Sequence, residues 1–204
     1  MNISNRSYGN KLFWINKRLF DIIVCLLLIP LLFIVSIILL FFNHFLNPGS
    51  LFFIQDRMGK DCSVFTAIKF RSMVPVKEIT RKYDDPIETT RIRSFGKILR
   101  KSRIDELPQI LNVLKGEMSL IGPRPDYYLH ALEYLKNVEG YRERHIIRPG
   151  ITGLSQIRLG YAEGLEATVE KVSVDNYYIQ HVNYIIELKI IGNTITTIMR
   201  GMGK

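Results

Sequence analysis

Hydrophobic and polar positions divide the chain into two unequal parts. Residues 22–46 carry no formal charge, whereas beyond them apolar positions come in short groups broken by polar and turn-forming residues. The stretch 22–42 is 21 residues long. As a helix rising 1.5 Å per residue it reaches about 31 Å, the thickness of a bilayer's hydrocarbon core. A soluble core helix rarely carries so long an uncharged run. A cleaved signal peptide also fits poorly: sixteen residues precede Lys17-Arg18, the run is long, and no small-residue cleavage site follows.

Pro30 complicates this helix. It removes a backbone donor in mid-run and is expected to kink or break the helix. Two topologies compete. A spanning helix puts its ends in opposite compartments, while a re-entrant hairpin bent at Ile29-Pro30 returns both to one face. Basic residues flank both sides, with Arg6, Lys11, Lys17 and Arg18 before and Arg57 and Lys60 after. Positive charge tends to stay cytoplasmic, which favours the hairpin.

Past the anchor, Asn47-Pro48-Gly49-Ser50 reads as a turn. Residues 51–54 and 64–68 read as two short strands forming a hairpin. The polar stretch 74–88 reads as a loop. Within 91–102, Ile92, Phe95 and Leu99 share one helical face and the basic residues mostly the other. Ile104, Leu107, Leu111 and Leu114 continue a helical spacing, with Ser102 or Asp105 as N-cap. Gly116 and Gly122-Pro123-Arg124-Pro125 interrupt it. Helices are predicted over 128–137, 168–178 and 185–199, the last with an apolar face suited to the core or a membrane surface. The fold class is therefore α+β: an N-terminal re-entrant membrane helix hairpin, then a mainly helical domain with a small β-hairpin and interfacial helices. The predicted division is a tail over 1–16, the hairpin over 17–46 bent near Pro30, and a catalytic domain over 47–204.

Composition narrows the chemistry. A chain of 204 residues holds one ordinary domain plus an anchor. The net charge of +9 favours polyanionic partners: nucleic acid, anionic lipid or a phosphorylated ligand. Cys25 and Cys62 make no disulfide framework, which suits a reducing compartment. His44, His130, His145 and His181 are scattered, and no Cys/His spacing matches a zinc site. Neither a Walker motif nor GxGxxG is present.

Charge concentrates at one place. Residues 91–103 hold six basic side chains and no acidic one, and Asp105-Glu106 follow at once. With Pro108 in a first turn, the pair belongs near a helix N-terminus. Nearby cations are expected to keep both ionised. One carboxylate can then attack phosphorus or carbon, and a second can hold a metal ion. Arg124, set between two prolines of fixed φ, presents a guanidinium on a stiff backbone suited to gripping phosphate. Thr152, in the glycine-flanked loop after Arg148, sits where backbone donors can approach an anion. Lys69 and Arg71 add cations at the end of the second strand. A membrane-anchored binder using its basic face on lipid or nucleic acid would explain the charge, but would leave Asp105-Glu106 and Arg124 without a role.

In series these segments resemble the bacterial sugar transferases, the monotopic polyprenyl-phosphate phosphoglycosyl transferases. The resembling residues are Lys17-Arg18-Leu19-Phe20-Asp21, Lys69-Phe70-Arg71-Ser72-Met73, Gly96-Lys97-Ile98-Leu99-Arg100, Asp105-Glu106-Leu107-Pro108-Gln109, the stretch from Asn112 to Ser119, Gly122-Pro123-Arg124-Pro125, and Arg148-Pro149-Gly150-Ile151-Thr152-Gly153. They stand in family order and cover nearly the whole chain from Lys17. The resemblance implies transfer of a phosphosugar from a UDP-sugar to undecaprenyl phosphate, with Mg²⁺ as cofactor and UMP as leaving group. It implies Asp105 as the nucleophile that carries the phosphosugar, and Glu106 as support for the metal or for proton transfer. Arg100, Arg124 and Arg148 match family arginines that neutralise phosphate. The implied place is the bacterial inner membrane, with the catalytic domain on the cytosolic face, in contact with lipid and with no nucleic acid partner. A homodimer is compatible with it. One departure stands out: the family usually carries Ser-Pro at the membrane bend, and this chain has Ile29-Pro30. The chain looks like the short form, without an additional multi-span N-terminal region. Sugar selectivity is expected from 126–144 and 158–166.

Overall fold

The computed structural model describes residues 10–76, 83, 85, 89–160 and 164–201. Most of the expected loop over 74–88, the first nine residues with Arg6, and 161–163 within the expected selectivity segment lie outside the described residues.

The apolar run forms one unbroken helix, α1 (Lys11–Leu46), with Pro30 inside it. It starts six residues before the expected boundary at Lys17. Asn10 caps it, its side chain accepting from the Leu12 amide at 3.2 Å. Phe13 and Trp14 extend it by packing edge-to-face, and Phe13 does the same against Tyr184. Phe13, Lys17, Asp21, Cys25, Leu32, Leu39 and Asn43 are buried. Their spacings of four and seven place them on one stripe of the helix. Leu27, Phe33, Leu40 and Phe41 on the remaining surface are exposed.

Both ends of α1 are tied to the same folded unit. Near the start, Lys17 pairs with Glu187 at 2.6 Å in a buried contact. Asp21 accepts from the Ser119 hydroxyl at 2.7 Å and the Leu120 amide at 3.2 Å. Just past the other end, Asn47 donates to the Arg71 carbonyl at 3.0 Å, and Arg71 Nε donates back to the Ser50 carbonyl at 2.7 Å. Instead of two helices parted at Ile29-Pro30, the structure has a single helix laid along the domain. Pro30 is on the exposed side, where its ring and missing amide meet no packed neighbour from the domain among the described residues.

The hairpin is antiparallel, β1 (Phe52–Met58) against β2 (Val64–Phe70), with Phe53 opposite Lys69 and Met58 opposite Val64. Both strands run longer than the apolar pattern suggests. Next come α2 (Ser94–Lys101), a 3-10 helix over Ile104–Gln109, and α3 (Ile110–Lys115). Gly116 at φ +88° ends α3 in the left-handed conformation that favours glycine. Beyond it lie β3 (Ser119–Ile121), α4 (Tyr128–Asn137), β4 (Gly150–Thr152), α5 (Leu154–Leu159), α6 (Gly164–His181) and α7 (Tyr184–Met199). The two short strands pair in parallel, Ser119 with Gly150 and Ile121 with Thr152. One core joins α1, the hairpin, α2 and α3 through Cys25, Leu32, Phe65, Phe70, Leu99 and Ile110. Two more lie under α4 and α6 and between α6 and α7.

Candidate active site

The acid pair sits where α2 gives way to the 3-10 helix. Arg103, at φ +54°, reverses the chain there. The neighbouring acids then serve different surroundings. Glu106 turns inward onto three cations. Its Oε1 accepts from Lys69 Nζ at 2.9 Å and from Arg124, and its Oε2 lies 3.5 Å from Arg103. Asp105 lines a cavity of about 590 Å³. Its carboxylate is buried and makes no hydrogen bond or ion pair among the described residues.

The electrostatics separate the two acids further. Burial, with Glu106 adding, raises Asp105 from 3.8 to about 6 against the pull of Lys69, Arg100 and Arg124. Burial would raise Glu106 too, but Arg124 and Lys69 hold it well below the usual carboxylate range. Burial lowers Lys69 to about 8 against the pull of Glu106. Glu106 is thus held ionised by its cations, as expected, and Asp105 at about 6 is also mostly ionised at neutral pH although burial works against it. Asp105 has free oxygens and, ionised above about pH 6, is available as a nucleophile near neutrality.

Lys69, Arg71, Arg100 and Arg124 border the cavity with Asp105. Arg71 is partly committed elsewhere, since it also donates to the Asn47 carbonyl at the end of α1. Arg148 and Thr152 are not brought there. Arg148 is exposed and donates through Nε to the Gly116 carbonyl at 2.7 Å. The Thr152 hydroxyl bonds that of Thr194 on α7 at 2.8 Å. The glycines around Thr152 serve packing. A Cβ on Gly150 would stand 2.1 Å from the Gly122 amide, and one on Gly153 would stand 2.2 Å from the Gly122 carbonyl oxygen. The parallel β3–β4 contact needs both, and it sets the Pro-framed Arg124 over Glu106.

Several cavity residues are not assigned to the site by the sequence, where Arg57 reads only as a flanking charge and Asp126 only as part of the expected selectivity segment. Gln156 of α5 accepts from Arg103 at 3.2 Å and Arg124 at 3.3 Å, fixing both guanidiniums. Arg57 of β1 donates to the Pro125 carbonyl at 3.1 Å. Asp126 is gripped by Lys171 at 2.7 Å and by Arg144, and accepts from Tyr141 at 2.8 Å. Burial alone would raise Asp126, but Lys171 and Arg144 hold it far below the usual range. Arg144 also pairs with Asp175 at 2.8 Å. These contacts join residues 15 to 68 positions apart, which no local spacing reveals.

A hard cation fits in one way. Among the described residues there is no group of three or more acidic, histidine or cysteine side chains that could hold a metal. Mg²⁺ is commonly held by one or two carboxylates together with substrate phosphates. Asp105 offers free oxygens for that arrangement, whereas those of Glu106 are engaged by Lys69, Arg103 and Arg124.

Comparison with known proteins identifies the family. The family model described as bacterial sugar transferase matches residues 12–201. The UDP-N-acetylgalactosamine-undecaprenyl-phosphate N-acetylgalactosaminephosphotransferase of Aeromonas hydrophila is 39% identical over 187 residues, covering 92% of this chain and 44% of that protein. The UDP-glucose:undecaprenyl-phosphate glucose-1-phosphate transferase of Klebsiella pneumoniae is 36% identical over 181 residues, covering 88% of this chain and 39% of that protein. The exopolysaccharide production protein PSS of Rhizobium leguminosarum bv. phaseoli is 34% identical, with 92% of this chain and 97% of that protein covered. The chain thus spans under half the length of the first two and nearly all of the third.

Proposed function

The chain belongs to the bacterial sugar transferase family, and from that premise we propose that it transfers a sugar 1-phosphate from a UDP-sugar to undecaprenyl phosphate. One observation carries the reading: a buried carboxylate with free oxygens, Asp105, faces a cavity bordered by Lys69, Arg71, Arg100 and Arg124. Phosphoryl transfer asks mainly for positioning and charge neutralisation, and this cavity offers both.

In the proposed reaction an Asp105 carboxylate oxygen attacks the β-phosphorus of the UDP-sugar. The bond from that phosphorus to the bridging oxygen breaks, and UMP leaves with the electron pair. The sugar phosphate stays on Asp105 as an acyl phosphate. A phosphate oxygen of undecaprenyl phosphate then attacks the same phosphorus, and the Asp105 carboxylate is released. Lys69, Arg100 and Arg124 neutralise the diphosphate. Glu106, held ionised, keeps Lys69, Arg103 and Arg124 in place. When bound, Mg²⁺ neutralises phosphate charge at Asp105.

The same reading seats the domain on one face of the bacterial inner membrane, the cytosolic one, where UDP-sugars are made. Support comes from the tethering of both ends of α1 to one unit, together with the exposed apolar surface that helix carries.

Purified protein with Mg²⁺, undecaprenyl phosphate and a panel of UDP-sugars is expected to release UMP from at least one donor. Without acceptor, mass spectrometry is expected to find a phosphosugar on Asp105. Asp105→Asn is expected to lower turnover by at least a thousandfold, roughly the scale lost when a nucleophile goes. Full activity in that variant would remove Asp105 from the mechanism.

A further inference from the structure

We infer that the hydrocarbon of the lipid acceptor is received by an apolar wall at one end of the cavity, made by Phe53, Ile54 and Val76. The inference rests on the transferase reading and adds the place where the acceptor lies.

The cavity is chemically two-ended, and β1 measures the separation. All of 53–57 in β1 lines it. At the far end of the strand, the Met58 amide donates to the Asp126 carbonyl at 3.1 Å. There the lining is polar, with Asp126, Thr168 and Lys171. At the near end the Arg71 amide donates to the Leu51 carbonyl at 3.0 Å, so the chain leaving β2 passes the start of β1, and Val74 and Val76 further along it also line the cavity. Five strand residues separate the ends, about 17 Å at 3.3–3.4 Å each. Of a UDP-sugar only the flat faces of the uracil ring are apolar, whereas a polyprenyl phosphate carries a long hydrocarbon chain that can cover the whole apolar end.

The apolar end begins next to the reacting groups. Phe53 stands directly opposite Lys69 in the ladder, and Lys69 shares the cavity with Asp105. Facing residues in an antiparallel pair are about 5 Å apart, so the wall starts one residue from the phosphate-binding cation. The matching ligand has a phosphate head and a hydrocarbon body.

The wall is also continuous with the apolar face of α1. Phe45 and Leu46 at the end of that helix are exposed, and so are Phe52, Phe53 and Ile54. Three consecutive exposed apolar side chains break the alternation of a half-buried strand and demand a partner. Arg71 binds the carbonyls of Asn47 and Ser50, so the intervening turn is fixed and the two surfaces adjoin. A lipid whose tail lies along α1 can bring its phosphate to Lys69 without leaving apolar surface.

The test is the double variant Phe53→Asn with Ile54→Asn, assayed in nanodiscs. Both side chains are exposed, so the fold is expected to survive. The KM for undecaprenyl phosphate is expected to rise roughly tenfold or more, the scale of losing contact with one or two large apolar side chains. The KM for the UDP-sugar and the acceptor-free single-turnover burst of UMP are expected to stay unchanged. A normal burst with an unaltered acceptor KM would overturn the inference alone. An equal rise in both KM values would also overturn it, since the wall would then serve the donor. Failure of the unaltered protein to release UMP even with the acceptor present would overturn the transferase reading, and this inference with it.

Discussion

Adjacent carboxylates on one backbone turn act in opposite ways. Glu106 spends its charge on Lys69, Arg103 and Arg124, and Asp105 keeps its oxygens for the cavity. A pH profile follows from this division. The free protein is active while Asp105 is ionised and Lys69 is charged. Asp105, raised to about 6, loses its nucleophilic form as pH falls through that value. Lys69, lowered to about 8, loses its charge as pH rises through that one. The profile of kcat/KM, which reports free-enzyme groups, is therefore expected to be bell-shaped with limbs near those values. Lys69→Arg is expected to carry the alkaline limb upward, because a guanidinium stays protonated across this range. A wild-type profile flat to pH 9.5 would show that Lys69's charge does not govern the rate. The sequence exposes the dyad and its basic neighbours by simple adjacency. It conceals which acid is the free one, because that is decided by Lys69 and Arg124, 37 and 18 positions away.

At the scale of elements, patterned segments were legible and contacts between backbones were not. The hairpin follows from two short apolar runs parted by a polar stretch, and α2, α4, α6 and α7 from helical patterning, give or take a few terminal residues. The parallel β3–β4 pair and α5 leave no such trace. β3 and β4 are three residues each, too short for alternation to register, and they lie within glycine and proline segments that read as turns. What those glycines do is allow close approach, and Gly96 shows the consequence. A Cβ there would stand 1.9 Å from the Ser72 carbonyl oxygen, a backbone atom that cannot swing aside. Gly96 lies in α2 one turn before Arg100, so the variant must lift that helix from the end of β2. Gly96→Ala is expected to cost about 1–3 kcal/mol, as overpacking does, and to lower turnover together with Tm. Gly192→Ala in α7 is the matched control, since its Cβ meets open space. It is expected to stabilise by about 0.5–1 kcal/mol through helix propensity alone. Equal effects of the two variants would mean that the contact at Ser72 does not hold α2.

The whole molecule constrains how α1 can meet a bilayer. Charge-free length alone leaves spanning and returning helices equally plausible, and Pro30 only tilts the choice. Tertiary contacts supply what the sequence lacks. Asp21 is bound to Ser119 and Leu120, Asn47 is bound to Arg71, and Cys25, Leu32 and Leu39 between them are packed on the same unit. That unit carries the cationic cavity, and burying such charge in hydrocarbon is costly. A helix that crossed the bilayer would have to peel away along its length and expose the Lys17–Glu187 pair and the stripe from Phe13 to Asn43. Lying in one leaflet, it keeps those contacts and presents Leu27, Phe33, Leu40 and Phe41 to lipid. Lys11→Cys and Ser50→Cys, each in a Cys62→Ser background with the buried Cys25 retained, place a thiol at either end of α1. Both are expected to react with an impermeant maleimide in inside-out vesicles, and neither in right-side-out ones. Reaction of the two thiols from opposite sides would establish a crossing and overturn the one-leaflet placement of α1.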